Sequence, residues 1–332
     1  MAHHGNTRRT GHGRADQERT GHDRTRRGRT AVTAGFRGHG RTGTSMRRTL
    51  RREAPSTIGL LADERDFAAM RRYRTFAFDD HPTYLRQVED LLRSLAAQGG
   101  HATVALFDPE EYAEFCAESG IAPDSPASRS RFTAEIAASG ATVAYTGQRI
   151  DDLIPLLIDR AVRRATWEYA AMTLAGLGEC TDCGRDVGRA AFDRASHLLS
   201  RMLGTAGTGT HHLVCSAPTQ SEHLIAVLHA ECDAEGPTRL DAAEGAEFAT
   251  VLAVGIALEK TGGVVLRTST PGARDRVHGW RLDRGSLVPL TAGEVFNAYC
   301  TDADTGDPVA PEPHVDYCAG FDLGVDEPEE HP

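Results

Sequence analysis

Residues 1 to 52 lack the material for a hydrophobic core. Between Ala2 and Ser45 the only large apolar side chains are Val32 and Phe36, set in a loose repeat of Arg, Gly, His and Thr such as Thr10-Gly11-His12-Gly13-Arg14 and Gly38-His39-Gly40-Arg41-Thr42-Gly43. So little apolar surface does not offset the entropy of ordering a backbone, so residues 1–53 are expected to form a disordered basic tail. The segment holds 14 Arg against the acids Asp16, Glu18 and Asp23, a balance of +11, and leaves 23 basic and 44 acidic residues, or −21, for the rest. Two readings of the tail stay open. A cationic arm would dock on nucleic acid or another polyanion by counterion release. Translated upstream sequence is the other reading, since Met46 offers a second start and the single lysine, Lys260, stands against 36 arginines as GC-rich codon usage gives.

Export is not indicated. Arg47-Arg48 and Arg51-Arg52 run into Glu53-Ala54-Pro55 without the apolar segment of a signal peptide. The longest apolar stretch, Ala249 to Leu258, is about half of what a membrane span needs. Seven scattered cysteines, an odd number, do not read as a disulfide framework. The chain is expected to be cytoplasmic with reduced thiols, to have no membrane partner, and to meet nucleic acid only through its tail.

From residue 54 onward short β-rich runs alternate with helical periodicity, which predicts an α/β fold with a mostly parallel or mixed sheet and flanking helices. The expected strands are Thr57–Ala62, Arg74–Phe78, Thr103–Phe107, Thr142–Thr146, His211–Ala217, Val264–Thr268, Val277–Leu282 and Ser286–Leu290. Helix starts are marked by Asp108-Pro109-Glu110-Glu111, Ser125-Pro126 and the capping box Thr291-Ala292-Gly293-Glu294. The longest helix is expected over residues 152–175, where Arg160, Arg163 and Arg164 crowd one part. They read either as a phosphate-binding face or as a solvated face paired with Asp159 and Glu168. A division near Gly176–Gly184 gives an N-terminal α/β domain over 54–178 and, over 179–323, a second α/β domain or a continuation of the same sheet. An acidic disordered tail over 324–332 ends the chain.

Three groups of residues could carry chemistry. Cys180-Thr181-Asp182-Cys183-Gly184 is half of a tetrahedral zinc site, and His211 with Cys215 is the candidate second half, because on a strand those two share a face. Zinc is the cofactor this set implies; an inert turn or a thiol redox pair are the competing readings. His229-Ala230-Glu231 is similar to the His-x-Glu of zinc-dependent nucleoside deaminases, but the CxxC lies upstream instead of downstream and the triplet is expected to close a helix.

The third group is Asp79, Asp80 and His81, after the expected strand Arg74–Phe78. The run Phe78 to Leu85 resembles the first strand of response-regulator receivers, where paired acids bind magnesium, and Thr146 would stand at the hydroxyl position. The resemblance covers about ten residues and the pattern departs from it: Asp108 follows Asp79 by only 29 residues and the one lysine is at 260. On a parallel sheet Asp79, Asp80, His81, Asp108 and Thr146 would gather at carboxyl strand ends and form a ligand pocket; Asp80 ahead of Pro82 equally makes a helix cap. No nucleophile elbow, Walker loop, dinucleotide fingerprint or His-Glu-x-x-His helix occurs in the body of the chain. The function expected is a non-catalytic regulatory or ligand-sensing module with a small ligand or protein partner. The alternative is a metal-assisted hydrolase using Asp79, Asp80 and His81 or the Cys/His cluster.

Overall fold

The computed structural model describes residues 56–324 apart from Gly140, Glu235, Ala303 and Asp304. The basic segment 1–53 and residues 325–332 of the acidic tail lie outside the described residues. Two hydrophobic cores and two sheets organise an α/β chain.

The first core is built on a mixed three-stranded sheet of order β1-β2-β3: β1 (Ser56–Leu60) pairs parallel with β2 (Ala102–Leu106), which pairs antiparallel with β3 (Thr142–Ala144). Between β1 and β2 lie α1 (Glu64–Met70) and α2 (His81–Ala97); α3 (Pro109–Glu118) and α4 (Pro126–Ser139) lead to β3. Leu60, Phe67, Tyr84, Leu92, Val104 and Tyr112 are buried among them. The turn chemistry acts as its residue types dictate. Asp63, Asp80 and Asp108 cap α1, α2 and α3 with side chains that accept backbone N–H groups, and Pro109 opens α3 where its missing donor costs nothing.

One expected strand is absent. Arg74 to Phe78 forms turns and irregular backbone, and Phe76 and Phe78 turn into an aromatic cluster with Phe67 and Tyr84, centroids 4.8–5.9 Å apart. Its β-rich composition is used for side-chain packing, with no strand partner to satisfy a ladder.

The second core is built on a larger sheet of order β10-β8-β7-β4-β5-β6, with β9 also on β8. Its strands are β4 (Gly209–Pro218), β5 (His223–Cys232), β6 (Arg239–Leu240), β7 (Gly262–Ser269), β8 (Asp275–Asp283), β9 (Ser286–Pro289) and β10 (Val315–Tyr317). All these pairings are antiparallel except β10 on β8, so this sheet too is mixed. His229 therefore stands on a strand: Leu224, Ala226, Leu228 and Ala230 alternate inward, and the expectation that His229-Ala230-Glu231 closes a helix is corrected.

Helices α6 (Val187–Ala206) and α7 (Ala242–Leu258) cover the inward face. In α7 every residue from Glu247 to Ile256 is buried, as a helix apolar on all sides must be. Close approach is secured at Gly255, where an added Cβ would meet Leu282 at 2.5 Å. On the opposite face α8 (Ala292–Tyr299), started by the expected capping box at Thr291, packs Val295 on Val277 and Val315.

Helix α5 (Ile150–Ala175) serves both cores. Ile150, Leu153 and Leu157 belong to the first, Ala170 and Leu174 to the second. The stretch between them, from Arg160 to Trp167, faces the start of α7. No helix among the described residues is long and apolar enough to cross a membrane.

Candidate functional site

The residues expected to share a pocket are dispersed. Asp79 is exposed, and Asp80 Oδ1 accepts the Thr83 N–H at 2.7 Å as the cap of α2, a bond that holds its carboxyl below the usual carboxylate range. His81 Nε2 donates to the Leu61 carbonyl at 3.0 Å, with its ring against Phe67 and Tyr84. Thr146 is exposed and gives its N–H to Gln148 Oε1. Only Asp108 stands at a carboxyl strand end beside other acids. It borders a cavity of about 160 Å³ with Asp63 and Asp66, at the ends of the parallel strands β1 and β2. Burial, then the charges of Asp63 and Asp108, raises the Asp66 carboxyl. Asp63 and Asp108 each use one carboxylate oxygen, Oδ1, to cap a helix.

The Cys/His set does not converge either. Cys180 and Cys183 lie in the turn between α5 and α6, whereas His211 and Cys215 point into the second core from β4. His211 has both ring nitrogens engaged: Nε2 donates to the Gly207 carbonyl at 3.0 Å, so Nδ1 accepts from the Thr268 hydroxyl, also at 3.0 Å. Desolvation pushes its pKa down, and burial pushes the Cys215 thiol up to about 12. A neutral, fully bonded imidazole and a protonated thiol are core groups. Among the described residues no group of three or more His, Cys, Asp or Glu side chains is arranged to hold a metal ion.

The arrangement with most chemical content is a cleft of about 210 Å³ between α5 and α7, lined by Ala141, Arg160, Arg163, Arg164, Trp167, Ala243, Ala246 and Glu247. Helical spacing places Arg160, Arg163, Arg164 and Trp167 on one side of α5. Arg163 is the hinge of its charge network. Its Nη1 donates to Glu244 Oε1 at 3.0 Å and its Nε to Glu247 Oε2 at 3.0 Å. Glu244 Oε2 in turn accepts the backbone N–H of His229 at 3.0 Å, where the β5 ladder has a free donor, and approaches the His229 ring at 3.3 Å.

The two carboxylates respond differently. Desolvation works to raise Glu244, but the His229 N–H and the Arg163 guanidinium outweigh it and hold the carboxyl below its usual value. Glu247 is buried more deeply, and its desolvation prevails over Arg163, raising it. Its second oxygen, Oε1, is buried with no hydrogen-bond partner among the described residues. Arg164 pairs with Glu168 and lies over the Trp167 ring, 5.2 Å from the centroid. Arg160 is exposed, makes no hydrogen bond or ion pair within 4 Å among the described residues, and adds its charge to those that hold the Asp241 carboxyl below its usual range. Past Trp167 the cleft continues into an apolar depression of about 370 Å³ bordered by Ala171, Leu174 and Phe192.

What the cleft offers is one exposed guanidinium without a hydrogen bond, one buried acceptor oxygen and an indole wall beside apolar surface. The arginines were legible in the sequence. Glu247 and Trp167 were not singled out, although a lone carboxylate at the head of the apolar run 248–258 is the signal that marks it.

Residues 45–148 match the family model described as a domain of unknown function (DUF8829). The match spans the elements from β1 to β3 and stops before α5, so Ala141 is the only cleft residue it includes. Comparison with curated proteins and with solved structures finds no match.

Proposed function

We propose that this chain is a non-catalytic ligand-sensing module that binds a small organic anion in the cleft between α5 and α7. The observation that carries the reading is Glu247 Oε1, a buried acceptor without a partner in a cleft that also holds the exposed guanidinium of Arg160. Buried polar groups are paired in nearly all folded proteins, and an exception such as this one calls for a partner from outside the chain, a water or a ligand donor. The ligand this set fits has a carboxylate for Arg160, an N–H for Glu247, and a flat apolar body for Trp167 and the depression behind it. The cleft is smaller than the roughly 300–1,000 Å³ of drug-sized sites, which suits a molecule of one or two rings.

The position of α5 is what supports a sensing role. Its first turns are packed in one core and its last turns in the other, so a ligand held between Arg160 and Glu247 ties the helix of both cores to α7. Differential occupancy of two such arrangements is all a switch requires.

Ligand-observed NMR of the full chain with indole-3-acetate and anthranilate tests this. Both carry a carboxylate, an N–H and a planar ring. Binding at up to millimolar concentration that weakens at least tenfold in Arg160→Ala is expected. Absence of binding by either compound, or equal binding to the variant, contradicts the reading.

A further inference from the structure

The side of α5 turned away from the cleft carries apolar side chains that stay open to solvent. Ile158 is 46% exposed, Val162 58% and Met172 75%. Ala165 between them is exposed too, and Tyr169 is half-buried, its hydroxyl 2.8 Å from that of Ser221. The spacing along Ile158, Val162, Ala165, Tyr169 and Met172 alternates four and three residues, the a and d positions of a heptad repeat. Solvent imposes no such period on a helix face. A second helix does, because its own side chains must seat between those of the first, and the seam extends over about 21 Å at 1.5 Å per residue.

The rim of the seam is acidic. Among residues 159, 161, 166, 168 and 173, which flank it at the e and g positions, the charged ones are Asp159 and Glu168, and no basic residue stands there. Glu168 is paired with Arg164, whereas Asp159 is exposed with no ion pair among the described residues. At the other end Ile158 borders the cavity that holds Asp63, Asp66 and Asp108. Burial, then the charges of Asp108, Glu114 and Glu168, raises the Glu111 carboxyl on α3, as an acid-rich surface requires.

This charge pattern selects the occupant. A second copy of α5 would set acids against acids: e meets g in a parallel pair, and e meets e and g meets g in an antiparallel one. The chain's own basic segment offers only Val32 and Phe36 as large apolar side chains between Ala2 and Ser45, too few for an apolar stripe. We propose that the seam from Ile158 to Met172 is the docking site for a helix of a partner protein, one with an apolar stripe flanked by Lys and Arg. Apolar contact along the stripe supplies the affinity, and the acidic rim chooses a basic partner and fixes its register. The site is distinct from the α5–α7 cleft and stands or falls separately from it.

The probe is a fluorescently labelled peptide of about 21 residues, with leucine at a and d, lysine at e and g and glutamine elsewhere. It is titrated with the full chain and read by anisotropy, beside a peptide of the same residues in scrambled order and one with glutamate in place of lysine. Saturable binding of the first peptide is expected, at least tenfold tighter than of either control. Val162→Gln with Met172→Gln should weaken it at least tenfold at an unchanged melting temperature, since both side chains are exposed. Asp159→Asn should weaken it several-fold, and Leu91→Gln, at an exposed position on α2, should leave it unchanged. No binding, equal binding of the scrambled or glutamate peptide, a Val162/Met172 variant that binds as the wild type does, or a dimer of the full chain in light scattering that this variant dissociates would each overturn the proposal.

Discussion

Arg163 of α5 and Glu247 of α7, 84 residues apart in the chain, meet at 3.0 Å through Glu247 Oε2, while the other oxygen of the same carboxylate has no partner. The carboxylate is paired through one oxygen and buried without a partner at the other. Replacing Arg163 by Ala strands the two glutamates in a partly buried site. A fully buried pair loses about 3–5 kcal/mol when one partner is removed. Because Arg163 keeps 21% of its side chain exposed, a loss of about 2 kcal/mol is expected in chemical denaturation. Arg163→Lys recovers little of it, since an ammonium does not span both carboxylates as the guanidinium fork does.

Glu247 gives a pH signature of its own. Its carboxyl is raised above 4.5 in the folded chain. A raised pKa contributes stability that is fully present below the unfolded value and is lost as pH rises through the folded value. Relative to Glu247→Gln, which does not titrate, the wild type is therefore expected to lose stability as pH climbs from about 4.5 toward neutrality. Parallel melts of the two proteins across that range check it; a constant difference would show that Glu247 is not strained by burial.

His211 tests the second core. Its Nδ1 depends on the Thr268 hydroxyl, and Thr268→Val leaves a buried acceptor unsatisfied, at a cost of about 1–3 kcal/mol. The folded pKa of His211 is depressed by desolvation. Its contribution is thus present above the unfolded value near 6.5 and is lost as pH falls through the folded one, so acid should unfold the variant at a higher pH than the wild type.

Asp108 separates a cap from a catalytic acid. Its Oδ1 bonds Glu110 N at 2.6 Å and Glu111 N at 3.0 Å, and Asp108→Ala is expected to destabilise the chain by about 1 kcal/mol. Asp79→Ala should leave the melting temperature unchanged. An Asp79 variant that melts as early as the Asp108 variant would contradict the structural assignment of both.

How much of this was readable in the sequence depends on how local the cause is. The caps at Asp108 and Thr291, and the long helix ending near Ala175, are fixed by neighbours within a turn and were legible. Arg74–Phe78 was misread because Phe76 and Phe78 are β-formers whose use is decided by Phe67 and Tyr84, outside the segment. His229 was misread although Leu224, Ala226, Leu228 and Ala230 spell a period of two. Arg160, Arg163 and Arg164 were visible as a basic face, with Glu168 as the near partner; Glu244 and Glu247, which turn that face into a cleft, lie 81 and 84 residues from Arg163. Only the fold brings them together.

The central claim is that the α5–α7 cleft is a binding site, and a crystal of the full chain soaked with indole-3-acetate tests it most directly. The account predicts density for the ring against Trp167, the carboxylate within hydrogen-bond distance of Arg160, and the N–H on Glu247 Oε1. An empty cleft with the compound bound elsewhere, or Glu247 Oε1 occupied by a side chain of the protein itself, would contradict it.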